Sequence, residues 1–294
     1  MLENIKKLLN IHTSKISIDE ELHRYKHCDF PELEFTSVTT WLDRFKPDFQ
    51  SYLVAANVSK TMRTKGILNV DTQYFVKKWS LNSKWRSIRG SAVHLFAQYY
   101  EDGNLNPEDE YEEGVVEYND FITKEGYITL FKELIIYDAN KKRAGTIDRL
   151  LYKDGTLYIH DYKTNTKYLN DYNGKLLEPF KAEYNSNYNK YSLQLSLYSN
   201  VLKSLFNDTQ FIKEVFAKEY DDFTILLEEF KNIKIESAII SLGSTSNLTT
   251  PKRLHKIPIS IYADLNVRVY NAKDYSQELI QYELDAHKPK RVFI

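Results

Sequence analysis

Apolar residues recur at helical spacing in the first part of the chain and at strand spacing in the second. Ile5, Leu8 and Leu9 share one face of an opening helix, and further helices are predicted over residues 39–45, 50–63 and 85–101. Up to about Gly126 the chain reads as mainly helical. The pattern then changes: residues 131–137, 145–152 and 156–163 are rich in β-branched, aromatic and aliphatic side chains, with polar turns between them, which predicts a meander of three strands. After a polar stretch over 164–190 come a helix from Tyr191 to about Phe206, a helical region at 223–231, and late strands around 235–242 and 256–270. This succession predicts an α/β fold, a mixed central β-sheet flanked by helices, with a helical N-terminal extension. The expected organisation is a helical region over 1–84 packed on a core over 85–294, the two forming one compact unit.

Asp154-Gly155 between two strand-like runs signals a two-residue hairpin turn, because that turn demands positive φ at both positions. The turn sets a register. If Lys153 faces Thr156, then Tyr152 faces Leu157, Leu150 faces Ile159, Asp148 faces Asp161 and Thr146 faces Lys163. Strand alternation then collects Asp148, Leu150 and Tyr152 with Leu157, Ile159, Asp161 and Lys163 on one mostly apolar face. Two aspartates opposed there repel each other and call for a cation. Oxygen ligands of this hardness suit magnesium or manganese, and Lys163 stands over the same spot. A lone Asp-x-Lys is more often a surface ion pair; the register and the upstream Gly145-x-x-Asp148 favour the metal reading.

Four elements in order resemble the RecB-like branch of the PD-(D/E)XK nucleases, whose core is restriction-endonuclease-like: Arg89-Gly-Ser-Ala-Val-His94, Gly145-Thr-Ile-Asp148, Ile159-His-Asp161-Tyr-Lys163 and Gln194-Leu-Ser-Leu-Tyr198. Ser37-Val38-Thr39 ahead of Trp41 is similar to the N-terminal signature of the mitochondrial genome maintenance exonucleases and their phage relatives. No proline precedes Asp148, which departs from the common pattern of the branch. The resemblance implies a magnesium- or manganese-dependent DNA exonuclease acting on single-stranded DNA or free ends in replication, recombination or repair, with replication or recombination proteins as further partners. A flap or structure-specific endonuclease is the second expectation, and a DNA-binding accessory module that has lost activity the third.

The same resemblance assigns His94, Asp148, Asp161 and the Tyr162 carbonyl to the metal, and Asp148, Asp161, Lys163 and Glu133 to catalysis. Gln194, Tyr198, Tyr191, Arg89 and Lys167 are expected on the nucleic-acid strand. Gln194, Tyr198 and Tyr191 share a helix face; a packed helix with a solvated Gln194 is the alternative. Glu101, two turns beyond His94, either supports the site or lies on a solvated stripe. The 164–190 stretch, with Tyr168, Tyr172, Tyr184 and Tyr188 among Lys167, Lys175 and Lys181, is expected to stack bases and hold phosphates. A general tyrosine and lysine richness of the chain would produce the same pattern.

Composition narrows this picture. The single cysteine, Cys28, excludes an internal disulfide, an all-cysteine zinc site and an iron–sulfur cluster. The N-terminus lacks an apolar signal segment and no stretch is long enough to span a bilayer, so no membrane is expected. A cytoplasmic setting follows, in a bacterium or a phage-infected host cell, given the Lys/Asn/Tyr bias. A net charge of −1 neither supports nor excludes DNA; Lys77-Lys78, Lys84, Arg86 and Lys141-Lys142-Arg143 are local basic clusters that either flank a groove or are solvated.

Overall fold

The computed structural model describes all residues except 20, 21, 23, 104, 166–173, 244–259 and 287–294. The chain divides into two compact units, one formed by Met1–Lys46 with Pro107–Ile294 and the other by Pro47–Asn106. The boundaries therefore fall at residues 46 and 106 rather than at 84. The reason is burial: the first 46 residues lay their apolar side chains on the sheet and its covering helix.

The larger unit is a mixed sheet between helices. In chain order its elements are α1 (Leu2–Ser14), β1 (Ile16–Asp19), β2 (Arg24–His27), β3 (Thr36–Ser37), α2 (Val38–Leu42), α5 (Glu110–Lys124), β4 (Ile128–Asp138), β5 (Arg143–Lys153), β6 (Thr156–Lys163), α6 (Asn187–Phe206), α7 (Thr209–Phe216), α8 (Thr224–Lys231), β7 (Lys234–Leu242), β8 (Ser260–Ala263), β9 (Val267–Asn271) and α9 (Ser276–Ala286). The strand order is β3-β5-β6-β7-β9-β8, with β4 on the remaining edge of β5. β3/β5 and β6/β7 run parallel and the other pairs antiparallel. The late strand expected from 256 begins at 260, and its first residues lie outside those described.

Helix α6 carries the main core. Its N-cap Ser186 accepts a hydrogen bond from the Asn189 N–H, satisfying one of the first-turn donors. Leu193, Leu195, Leu197, Val201, Leu202, Leu205 and Phe206 are all buried, and so are the small polar Ser192, Ser196 and Ser199, so the helix is covered on several sides. Against it lie Leu134, Ile136, Ile147, Leu150, Leu157, Ile159 and Ile239 of the sheet, Ile5, Leu8 and Leu9 of α1, and Trp41 and Leu42 of α2. Helix α5 covers the opposite face.

The turn expected at Asp154-Gly155 forms, with φ of 48° and 80°. The predicted register holds from Lys153↔Thr156 through Tyr152↔Leu157 and Leu150↔Ile159 to Arg149↔His160, where the β5/β6 ladder ends. The expected facing of Asp148 with Asp161, and of Thr146 with Lys163, is thus not reached. β5 has two edges, and β4 occupies one of them along residues 143–152. The other carries β6 at 149–153 and β3 at 143–144, leaving a notch between them at Gly145–Asp148.

The smaller unit is a helical hairpin of α3 (Ser51–Thr64) and α4 (Thr72–Gly103). Ala55, Ser59 and Phe75 are buried, and the Ser59 hydroxyl donates to the Val70 carbonyl at 2.7 Å, tying the turn to α3. α4 begins 13 residues before the helix expected from 85, because Asp71 accepts the Tyr74 N–H at 2.8 Å and so provides an N-terminal cap. Among the described residues no helix is long and apolar enough to cross a membrane.

Candidate metal centre

The notch in the edge of β5 is built by a paired distortion of two strands. Along β5, Gly145 and Ile147 face α6: a methyl on Gly145 would lie 2.5 Å from Tyr198 Cε1, and Ile147 belongs to the core under α6. Leu150 belongs to that core too, three residues on, so strict alternation is interrupted between Ile147 and Leu150. On β4 the same break falls at Glu133, between the pairs Lys132↔Arg149 and Leu134↔Ile147. Its φ is 51°, a left-handed conformation that non-glycine residues rarely adopt within a strand. The interruption replaces the alternation expected for Asp148.

Freed from the regular pleat, the two carboxylates converge: an oxygen of Glu133 lies within 4.8 Å of one of Asp148. Asp148 is 7% exposed. Its Oδ2 accepts the Tyr162 N–H at 2.7 Å, so a side chain takes the place of the next ladder bond between β5 and β6. In a strand the N–H and C=O of one residue point to the same edge. The Tyr162 carbonyl is therefore directed toward the same edge as its N–H.

The second carboxylate of the motif has different company. Asp161 is 2% exposed and forms an ion pair through Oδ2 with Lys163 Nζ. Gln194 Nε2 reaches Asp161 Oδ1 at 3.3 Å and the Tyr198 hydroxyl at 3.1 Å. Burial alone would lower the Lys163 pKa, but Asp161 and then Asp148 outweigh it and hold the ammonium above the ordinary lysine value. Its Nζ also lies 4.8 Å from the centre of the Tyr191 ring. Tyr191, Gln194 and Tyr198 thus reach the site from one side of α6, and Gln194 is half-buried rather than solvated. Burial, then Asp161, pushes the Tyr198 hydroxyl well above the usual tyrosine range, so it stays protonated.

One residue absent from the sequence expectations joins them. Tyr25 of β2 makes a 3.2 Å hydrogen bond with Thr146 Oγ1, and burial followed by the charge of Glu133 raises its pKa. The alternation Ile16-Ser-Ile18 and the pattern Arg24-Tyr-Lys26 around a polar turn were the available signal for the β1–β2 hairpin that carries it. The Ser37-Val38-Thr39 signature also acquires a physical role. β3 pairs with β5 beside the notch, and Ser37 Oγ caps α2 by accepting the Thr40 N–H at 3.1 Å.

His94 and Arg89 are half-buried on α4 of the smaller unit, and the Arg89 guanidinium lies 5.1 Å from the centre of the Trp85 ring. Glu101 is exposed on the same helix. Lys167, Tyr168 and Tyr172 lie outside the described residues. Of the rest of that stretch, part packs into the fold while Tyr184 and Lys181 stay exposed. Leu176 and Phe180 are core residues, the Tyr188 hydroxyl donates to the Asn271 carbonyl, Lys181 pairs with Glu178, and Lys175 covers the Tyr184 ring. The Lys141-Lys142-Arg143 cluster is structural in part: Lys141 and Arg143 both hold Glu283 of α9, and Arg143 stacks over Trp41.

Two carboxylates within 4.8 Å of each other, Asp148 buried and Glu133 half-buried, and a lysine-bound aspartate next to them form a hard-oxygen set fit for a divalent cation. The chain matches no protein-family model, no curated protein and no solved structure.

Proposed function

We propose that the protein is a metal-dependent nuclease that hydrolyses phosphodiester bonds of DNA, acting as an exonuclease on single strands or free ends. The observation that carries this reading is the convergence of Glu133 and Asp148 at an open sheet edge, beside an Asp161–Lys163 pair. Glu133, Asp148 and the Tyr162 carbonyl would hold magnesium or manganese, with Asp161 beside them and His94 added by the sequence resemblance. Such an ion, when bound, supplies Lewis-acid activation of water and of the scissile phosphate.

The side chains supply the rest. Lys163 stays protonated at neutral pH because its carboxylate neighbours hold its proton, so it offers a fixed positive charge to the negative charge that develops on the phosphate. Asp161 anchors that ammonium and Gln194 anchors Asp161, which keeps both rotamers locked before substrate arrives. The Tyr198 ring fills the space over Gly145, excluding water from the back of the site.

The test combines activity and binding. End-labelled single-stranded, duplex and flapped DNA incubated with the protein should be degraded with magnesium or manganese and not with EDTA. Asp161→Ala and Lys163→Ala should each lower the rate by orders of magnitude while retaining the fold. In parallel, manganese should raise the melting temperature of the wild type and not that of Asp148→Ala. Full cleavage by both catalytic variants would overturn the assignment.

A further inference from the structure

A cavity of about 240 Å³ lies at the Asp138 end of β4, walled by α1, the segment after β2 and the corner between α6 and α7. It is equivalent to roughly eight molecules of liquid water, the scale of one small ring-bearing molecule rather than a polymer.

The hydrogen bonds around it fix two donors. The Tyr137 N–H donates to His12 Nε2 at 3.2 Å, so the imidazole is neutral with its proton on Nδ1. His12 is 5% exposed, and among the described residues Nδ1–H has no acceptor. The Asp29 N–H donates to His27 Nδ1 at 3.2 Å, which places the proton of that ring on Nε2, 3.2 Å from the Tyr137 oxygen. Tyr137 therefore accepts from His27, and its own O–H is left to donate to whatever occupies the cavity. Burial, followed by the charge of Lys15, lowers the His12 pKa to about 3, and burial raises that of Tyr137 to about 12. Both donors keep their protons, uncharged, across the physiological range.

The remaining walls define what fits. Phe30 and Phe211 line it, with Lys15 Nζ 4.9 Å from the centre of the Phe211 ring, and so do Asp29, Asp138 and Asp208, of which Asp138 and Asp208 each accept a local backbone N–H through Oδ1. An anion meets three like charges and two neutral donors there. A hydrocarbon leaves the His12 N–H without an acceptor, at the cost of a buried unsatisfied group. The matching ligand is planar, uncharged, and carries both acceptors and N–H donors.

We propose that this cavity binds a nucleobase presented as a free base or nucleoside, with His12 and Tyr137 donating to its ring or carbonyl acceptors and a carboxylate taking its amino or imino N–H. The site is separate from the candidate metal centre, and the inference does not rest on the nuclease reading.

Isothermal titration calorimetry of the full-length protein in EDTA, with adenosine, guanosine, cytidine and uridine in turn, tests it. At least one nucleoside should bind saturably, and its 5′-monophosphate more weakly. Tyr137→Phe, which removes one donor and keeps the ring, should weaken binding by about tenfold. Ser204→Phe, at an exposed lining position, should abolish binding with the melting temperature unchanged. Asp161→Ala should bind as the wild type does, which keeps this outcome distinct from any failure of the nuclease assay. No saturable heat with any of the four at millimolar concentration, or an affinity indifferent to both cavity variants, would overturn the proposal.

Discussion

Glu133 shows how one residue can trade local comfort for chemistry. Holding a side chain other than glycine in the left-handed region costs roughly 1–2 kcal/mol, and here the strain also brings a carboxylate toward that of Asp148. Asparagine tolerates the same φ and has no charge. Glu133→Asn is accordingly expected to raise the melting temperature of the metal-free protein by a few degrees and to remove most of the gain seen with manganese. Differential scanning fluorimetry with and without the ion checks both halves, and a variant less stable without metal would contradict the strain argument. Lys163 behaves differently. Its pKa is raised above the usual lysine value, so its contribution is complete below the unfolded value of 10.5 and fades only above that, leaving it constant between pH 6 and 9.

At the level of elements, β5 and α6 meet where the motif glycine lies under the motif tyrosine. Gly145 is required by space, since any β-carbon would approach Tyr198 Cε1 to 2.5 Å. Gly145→Ala should destabilise the fold by about 1–3 kcal/mol, as overpacking of a core does. Adding Tyr198→Leu should recover part of that loss, giving a coupling that urea denaturation of the two single variants and the double variant can measure. Strict additivity would show that the glycine serves another purpose. The same pair explains why Gly145-x-x-Asp148 and Gln194-x-x-x-Tyr198 belong together: one turn of α6 places Tyr198 over the glycine while Gln194 reaches Asp161.

Across the whole molecule, two buried histidines on different sides of the fold make the protein acid-sensitive. His160, between Tyr118 and Arg149 under α5, and His12 each have a pKa lowered to about 3, chiefly by burial. The unfolded chain binds protons at these groups below its value of 6.5 and the native state does not. Stability therefore falls as pH drops from about 6.5 toward 3, by roughly 1.4 kcal/mol per pH unit for each histidine. Urea melts at pH 7.5, 5.5 and 4.5 should trace that slope, and His160→Gln should reduce it by about half. A slope unchanged in the variant would place the proton uptake elsewhere.

The sequence alone determined the α/β class, the hairpin turn at Asp154-Gly155 and its register as far as Arg149 and His160, because these follow from local backbone chemistry and from the period of apolar residues. It also named Asp148, Asp161 and Lys163 as a group. Tertiary structure decided how they are arranged. The left-handed residue at Glu133 breaks the alternation from which Asp148 and Asp161 were expected to face each other, and a glutamate gives no advance sign of positive φ. Tyr25, Ser37 and Gly145 reach the site through contacts across long stretches of chain, and no local pattern encodes such contacts. The division at residues 46 and 106 has the same cause: which helix packs on which face depends on the complete surface that the sheet presents once it is built.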